Sequence, residues 1–217
     1  MSDWFYAVDG VQYGPVSADD LRRFLAEERL AREDFVWHAA LPAWVEAGKV
    51  PELAGPPPPL FAVGVPKLVA MYLLTFGIYQ LYWFYKHWST IRARDGQEMW
   101  PVARALFAFF FFHDLVTTIN HKARAYGIEG MLPAGGLTAL FVIATLMNRF
   151  DNALFLLALA AVIPLVVVQS RVNEINTKAA PLADRNARLR GANWIVIVVG
   201  SIFVALILIG TFIDAQP

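Results

Sequence analysis

Trp4-Phe5-Tyr6-Ala7-Val8-Asp9-Gly10-Val11-Gln12-Tyr13-Gly14-Pro15-Val16-Ser17 opens the chain and decides how its N-terminal part folds. The first five residues are aromatic and β-prone. Asp9-Gly10 is the dipeptide that a tight hairpin turn favours, because both residues tolerate positive φ. Val11-Gln12-Tyr13 supplies the return strand, and Gly14-Pro15-Val16 turns the chain again. Ser17 is a good helix N-cap, with Asp20 at the third helical position to complete a capping box. Leu21, Phe24, Leu25 and Leu30 then recur at near-helical spacing. Glu33-Asp34 closes that element, Phe35-Val36-Trp37 reads as a short strand, and Trp44 sits in a Pro42-Ala43-Trp44 turn.

Working outward, Trp4-Phe5-Tyr6, Gly14-Pro15-Val16-Ser17, Leu21, Val36-Trp37, Trp44 and Val50-Pro51-Glu52-Leu53 occur in an order that resembles the bacterial GYF-like domain family (DUF4339) over about residues 3–53. The resemblance implies a small α+β fold and a patch of aromatic rings that binds proline-rich peptides. Polyproline II is rigid, so its capture costs little ordering entropy, and flat rings stack on proline. Trp4, Tyr6, Tyr13, Trp37 and Trp44 are the candidate platform. A domain of this size also needs large aromatics for its core, so each of the five is either platform or core. No Gly-Tyr-Phe tripeptide occurs in the chain.

Gly55-Pro56-Pro57-Pro58-Pro59-Leu60 reads as a stiff spacer or as a tethered ligand of the neighbouring domain. The sequence therefore divides into a GYF-like domain at 1–54, a proline-rich linker at 55–63 and a helical region at 64–217. Charged residues make up 17% of the chain, against about 25% in an ordinary soluble domain, and the mean hydropathy is +0.48. A bilayer crossing takes about 20 apolar residues. By that measure 134–148, 152–170 and 192–213 read as transmembrane helices. Segments 66–86 and 103–119 read as spanning, re-entrant or interfacial. Thr75-Phe76-Gly77 interrupts the first, and Lys86, Arg92, Arg94 and Arg104 crowd the loop between the two.

Arg171, Lys178, Arg185, Arg188 and Arg190 place the loop before the last segment on the cytoplasmic side. The expected location is the bacterial inner membrane, with the lipid bilayer as a partner and the N-terminal domain in the cytoplasm. Pro66-Lys67-Leu68 and the run Leu74–Trp88 resemble membrane proteins grouped as DUF4234, a family that carries no activity over to this chain.

Little in the sequence points to catalysis. Cysteine is absent and the formal net charge is zero, which argues against thiol chemistry, disulfides and nucleic-acid binding. His38, His87, His113 and His121 show no metal-ligand spacing, and no cofactor motif is present. His113 and Asp114 stand out as ionisable residues in an apolar segment. Tyr72, Tyr79, Tyr82, Trp83, Tyr85 and Trp88 read as an interfacial aromatic belt. Asn173, Glu174, Asn176 and Lys178 read as a solvated helix extension. The expected function is an adaptor that recruits proline-containing segments to the membrane. The alternative is a transporter or channel regulated by the N-terminal domain, and oligomerisation is left open.

Overall fold

The hairpin forms as its turn chemistry requires. In the computed structural model, β1 (Trp4–Val8) pairs antiparallel with β2 (Val11–Val16), with Val8 opposite Val11. Asp9 and Gly10 hold φ of 51° and 80°, the paired positive values of a turn whose twist matches its strands. The structure describes residues 3–27, 29–147, 159–189, 191 and 193–202.

Ser17 caps α1 (Ala18–Ala26) through a complete capping box. Its Oγ accepts from the Asp20 N–H at 3.1 Å, and Asp20 Oδ2 accepts from the Ser17 N–H at 3.3 Å. The Ser17 hydroxyl also donates to Asp20 Oδ2 at 2.7 Å, and this bond, helped by the one from the Ser17 N–H, holds the Asp20 carboxyl below its ordinary range. Then come β3 (Phe35–Trp37), β4 (Val45–Glu46), a 3-10 turn (Ala47–Lys49) and α2 (Pro51–Ala54). The sheet order is β2-β1-β3-β4, antiparallel throughout. Trp4, Leu21, Leu30, Val36, Ala47, Val50 and Leu53 form its core. This is the small α+β domain that the sequence predicts.

The chain divides into two units. One takes residues 1–59 and 176–184, the other residues 60–175 and 185–217. The second unit is helical, with α3 (Val65–Leu74), α4 (Tyr79–Asp95), α5 (Pro101–Leu106), α6 (Ala108–Ala125), α7 (Ala134–Leu146) and α8 (Val162–Ala179). Its core is aromatic. The Phe112 and Phe141 rings stack at 4.7 Å, and Phe84 meets both edge-on at 5.7 Å. Leu60, Phe61 and Val63 are buried in the same core.

Among the described residues no helix is long and apolar enough to cross a membrane, and each break has a local cause. Segment 66–86 is split at Phe76 and Gly77, with φ of 49° and 86°, into α3 and α4. Thr75 fixes the break, donating to the Met71 carbonyl at 2.7 Å and accepting from the Tyr79 N–H at 2.9 Å. Segment 103–119 is interrupted at Phe107, between α5 and α6.

The 13 residues of α7 reach about 20 Å at 1.5 Å per residue, short of a core about 30 Å thick. From its eighth residue onward α8 carries Gln169, Ser170, Arg171, Asn173, Glu174, Asn176 and Lys178. Residues 152–158 and 203–213 of the expected spans, and the turn at 148–152, lie outside the described residues. These findings correct the expected helical membrane domain and its inner-membrane location, and they give no support to the lipid bilayer as a partner or to the transport alternative. The belt reading is corrected too: Tyr72, Tyr79, Trp83 and Trp88 are buried, while only Tyr82 and Tyr85 of that set are exposed.

Two glycines of the hairpin test the local account. A Cβ at Gly14, where φ is 128°, would lie 2.7 Å from the Trp4 carbonyl oxygen and 2.9 Å from Phe5 Cδ1, whereas one at Gly10 meets nothing within 4 Å. Gly14→Ala should destabilise the domain by about 2 kcal/mol or more. Gly10→Ala should cost only the left-handed conformation, about 1 kcal/mol. Thermal melts of the two variants check the order, and equal losses would contradict it.

Candidate functional site

Side chains of a strand alternate between the two faces of its sheet, and this sorts the five candidate aromatics. Trp4 and Tyr6 point from β1 toward α1. Trp4 is 1% exposed and its ring lies 4.1 Å from that of His38, so it is core. Phe5 points the other way and pairs with Trp37 across the β1–β3 ladder. The Phe5 and Trp37 rings are 5.9 Å apart, and those of Trp37 and Trp44 are 6.5 Å apart. The platform expected as one patch is therefore two, on opposite faces, with Trp4 in neither.

On the α1 face, Tyr6 and Tyr13 stack at 5.1 Å with 20° between their planes, and Phe24 tilts against Tyr6 at 5.6 Å. Tyr13 is 46% exposed, and Tyr6 and Phe24 are half-buried. Among the described residues neither tyrosine hydroxyl has a hydrogen-bond partner within the chain. Arg29 and Arg23 lie over the Phe24 ring at 4.6 and 5.7 Å. On the other face, Trp44 is 38% exposed, and the Trp37 indole N–H is committed to the Leu41 carbonyl at 3.1 Å.

Residues 4–53 match the family model of GYF domain 2. These residues thus form a GYF-like domain, and GYF domains are modules that bind proline-rich sequences. The match ends at residue 53, and no match supports the expected resemblance of the later region to DUF4234 proteins. No curated protein and no solved structure matches the chain.

His113 and Asp114 are exposed on α6, whose buried line runs through Phe112, Leu115, Val116 and Ile119. They were singled out as intramembrane groups, and that ground goes with the membrane spans. Among the described residues no group of three or more His, Cys, Asp or Glu side chains is placed to hold a metal ion.

The sequence reading missed a polar cluster in the second unit. Gln169 is fully buried. Its Oε1 accepts from Trp83 Nε1 at 2.7 Å, and its Nε2 donates to the Phe61 carbonyl at 3.2 Å and to Asn173 Oδ1 at 2.9 Å. Asn173 in turn donates to the Val63 carbonyl at 2.9 Å. These partners orient the Gln169 amide, so His87 Nε2, 3.1 Å from the same Oε1, carries the proton. Among the described residues, His87 Nδ1 is buried without a hydrogen-bond partner. The only polar residue in the run from Val162 to Gln169 is Gln169 itself, and no sequence spacing links it to His87 or Trp83, 82 and 86 positions away.

Burial pushes the His87 imidazole down from 6.5 to about 4, with the Gln169 hydrogen bond opposing. A neutral histidine in the folded state means that the unfolded chain binds the proton more readily across this window. Stability conferred by neutral His87 is complete above pH 6.5 and is lost as pH falls toward 4. The difference corresponds to about 3 kcal/mol. Denaturant titrations at pH 7 and pH 4 should show a larger acid loss for the native chain than for His87→Gln. Equal losses would contradict this account of the cluster.

Proposed function

We propose that the GYF-like domain is an adaptor module that captures proline-rich segments on the surface formed by Tyr6, Tyr13 and Phe24. The observation that carries this reading is the stacked, part-exposed tyrosine pair with uncommitted hydroxyls. A polyproline II strand offers two things to a receptor: flat rings that pack on aromatic faces, and carbonyls that protrude and need donors. Tyr6 and Tyr13 supply both faces and donors, while the neighbouring Phe24 extends the apolar floor. The opposite patch supplies rings, but its Trp37 N–H is already bonded within the domain, so it offers a docking peptide fewer donors.

Such surfaces bind modestly, because two or three aromatic contacts are worth little beyond their buried area. The ligand is a segment of a partner protein or the chain's own Pro56–Pro59, of which Pro56 and Pro57 are exposed. A linker joined directly to the domain reaches only surfaces near its exit, since each residue in polyproline II advances about 3.1 Å.

Calorimetric titration of the chain with a proline-rich peptide tests the reading. Tyr13→Ala should weaken binding by about tenfold or more, and Tyr13→Phe by less, since it keeps the ring and loses the donor. Trp44→Ala should leave affinity unchanged. Replacing Pro56–Pro59 with Gly and Ser should tighten binding if the linker competes for the surface. Absence of binding by both the native and the linker-replaced chain would sink the proposal.

A further inference from the structure

The N-terminal unit includes a segment that is remote in sequence, residues 176–184. Leu182 is its anchor. The Leu182 carbonyl accepts a 2.6 Å hydrogen bond from Arg32 Nη2, part-buried and 150 positions away. The Leu182 side chain lies against Gly55: a Cβ at that glycine would stand 3.4 Å from Leu182 Cβ and 3.7 Å from Cδ1. Gly55 has φ of 62°, so its conformation and its lack of a side chain together leave room for the leucine.

Both sides of this contact are shaped in advance. Arg32 sits in a turn closed by Asp34, whose Oδ2 accepts from the Ala31 N–H at 2.7 Å. The Arg32 carbonyl accepts from the Gly48 N–H at 2.9 Å, and a Cβ at Gly48 would come within 2.9 Å of Arg32 Cβ. Gly48 thus allows the close approach that holds the arginine's backbone. The incoming segment is itself a turn. The Ala180 N–H donates to the Asn176 carbonyl at 2.8 Å and the Ala183 N–H to the Ala180 carbonyl at 2.9 Å. Ala180 is buried, while Pro181 is exposed.

We propose that residues 180–184 are a resident ligand of the GYF-like domain, held by Arg32 and Gly55 on a surface separate from the tyrosine pair. The recognised chemistry is a turn that presents a main-chain carbonyl to a guanidinium and a leucine side chain to a glycine. Pro181 pre-sets the turn by fixing its own φ. The domain then carries two surfaces, one closed by its own chain through Leu182 and one left open for proline-rich segments.

Hydrogen exchange of the full chain, read by mass spectrometry, tests this. Arg32→Ala removes the charge-assisted bond to the Leu182 carbonyl and should speed exchange at 180–184 by about tenfold or more, with β1 and β2 unchanged. Arg32→Lys should restore part of the protection. Should Arg32→Ala loosen the whole domain, Leu182→Gly, which leaves the domain's own residues intact, must still speed exchange at 180–184. Unchanged exchange at 180–184 in Leu182→Gly overturns the proposal, as does unchanged exchange there in a folded Arg32→Ala variant. Proline-peptide binding should be unchanged in Leu182→Gly and weakened about tenfold or more in Tyr13→Ala, so the two surfaces are scored separately.

Discussion

The pleat of β1 is the constraint on which the N-terminal domain depends. Five consecutive residues, Trp4 to Val8, are apolar or aromatic, and the strand must send alternate ones to opposite sides. Trp4 and Tyr6 go to the helix side, where Leu21 and Val36 close around the indole. Phe5 goes to the other, where it meets Trp37. A one-residue slip in pairing would exchange these roles. The hairpin turn at Asp9-Gly10 and the Phe5–Trp37 register therefore determine more than the fold: they choose which rings become core and which can meet a ligand.

A comparable constraint organises the second unit. One buried amide, Gln169, satisfies an indole, a histidine, an asparagine and the backbone of Phe61 at once. Buried polar groups are costly unless paired, and this pairing draws the 61–63 segment against α4 and α8. Around it, Phe84, Phe112 and Phe141 interlock. Part of the apolar sequence that hydropathy alone assigns to lipid is thus buried in this core, Phe84, Phe112 and Phe141 among it.

Much of the N-terminal domain was legible because its signals are local. Asp9-Gly10, the Ser17 and Asp20 box and the Phe35–Trp37 strand all act within a few residues, and all form as read. Thr75-Phe76-Gly77 likewise marks the break between α3 and α4. What the sequence hid is non-local. Whether Tyr6 and Trp37 share a face depends on strand register, and whether Trp83 is belt or core depends on Gln169, 86 positions away. Arg32 and Leu182 carry no mark of each other. The membrane reading failed for the same reason, since window hydropathy counts apolar residues without seeing the breaks at Gly77 and Phe107 or the partners that bury them.

On the function proposed, proline-rich ligands meet the tyrosine face of the sheet and not the tryptophan face. Ring-proton resonances followed by NMR during titration with a proline-rich peptide separate the two faces. Shifts and intermolecular contacts are expected at Tyr6, Tyr13 and Phe24, with Phe5, Trp37 and Trp44 unmoved. Shifts confined to Phe5, Trp37 and Trp44, or none at saturating peptide, would contradict it.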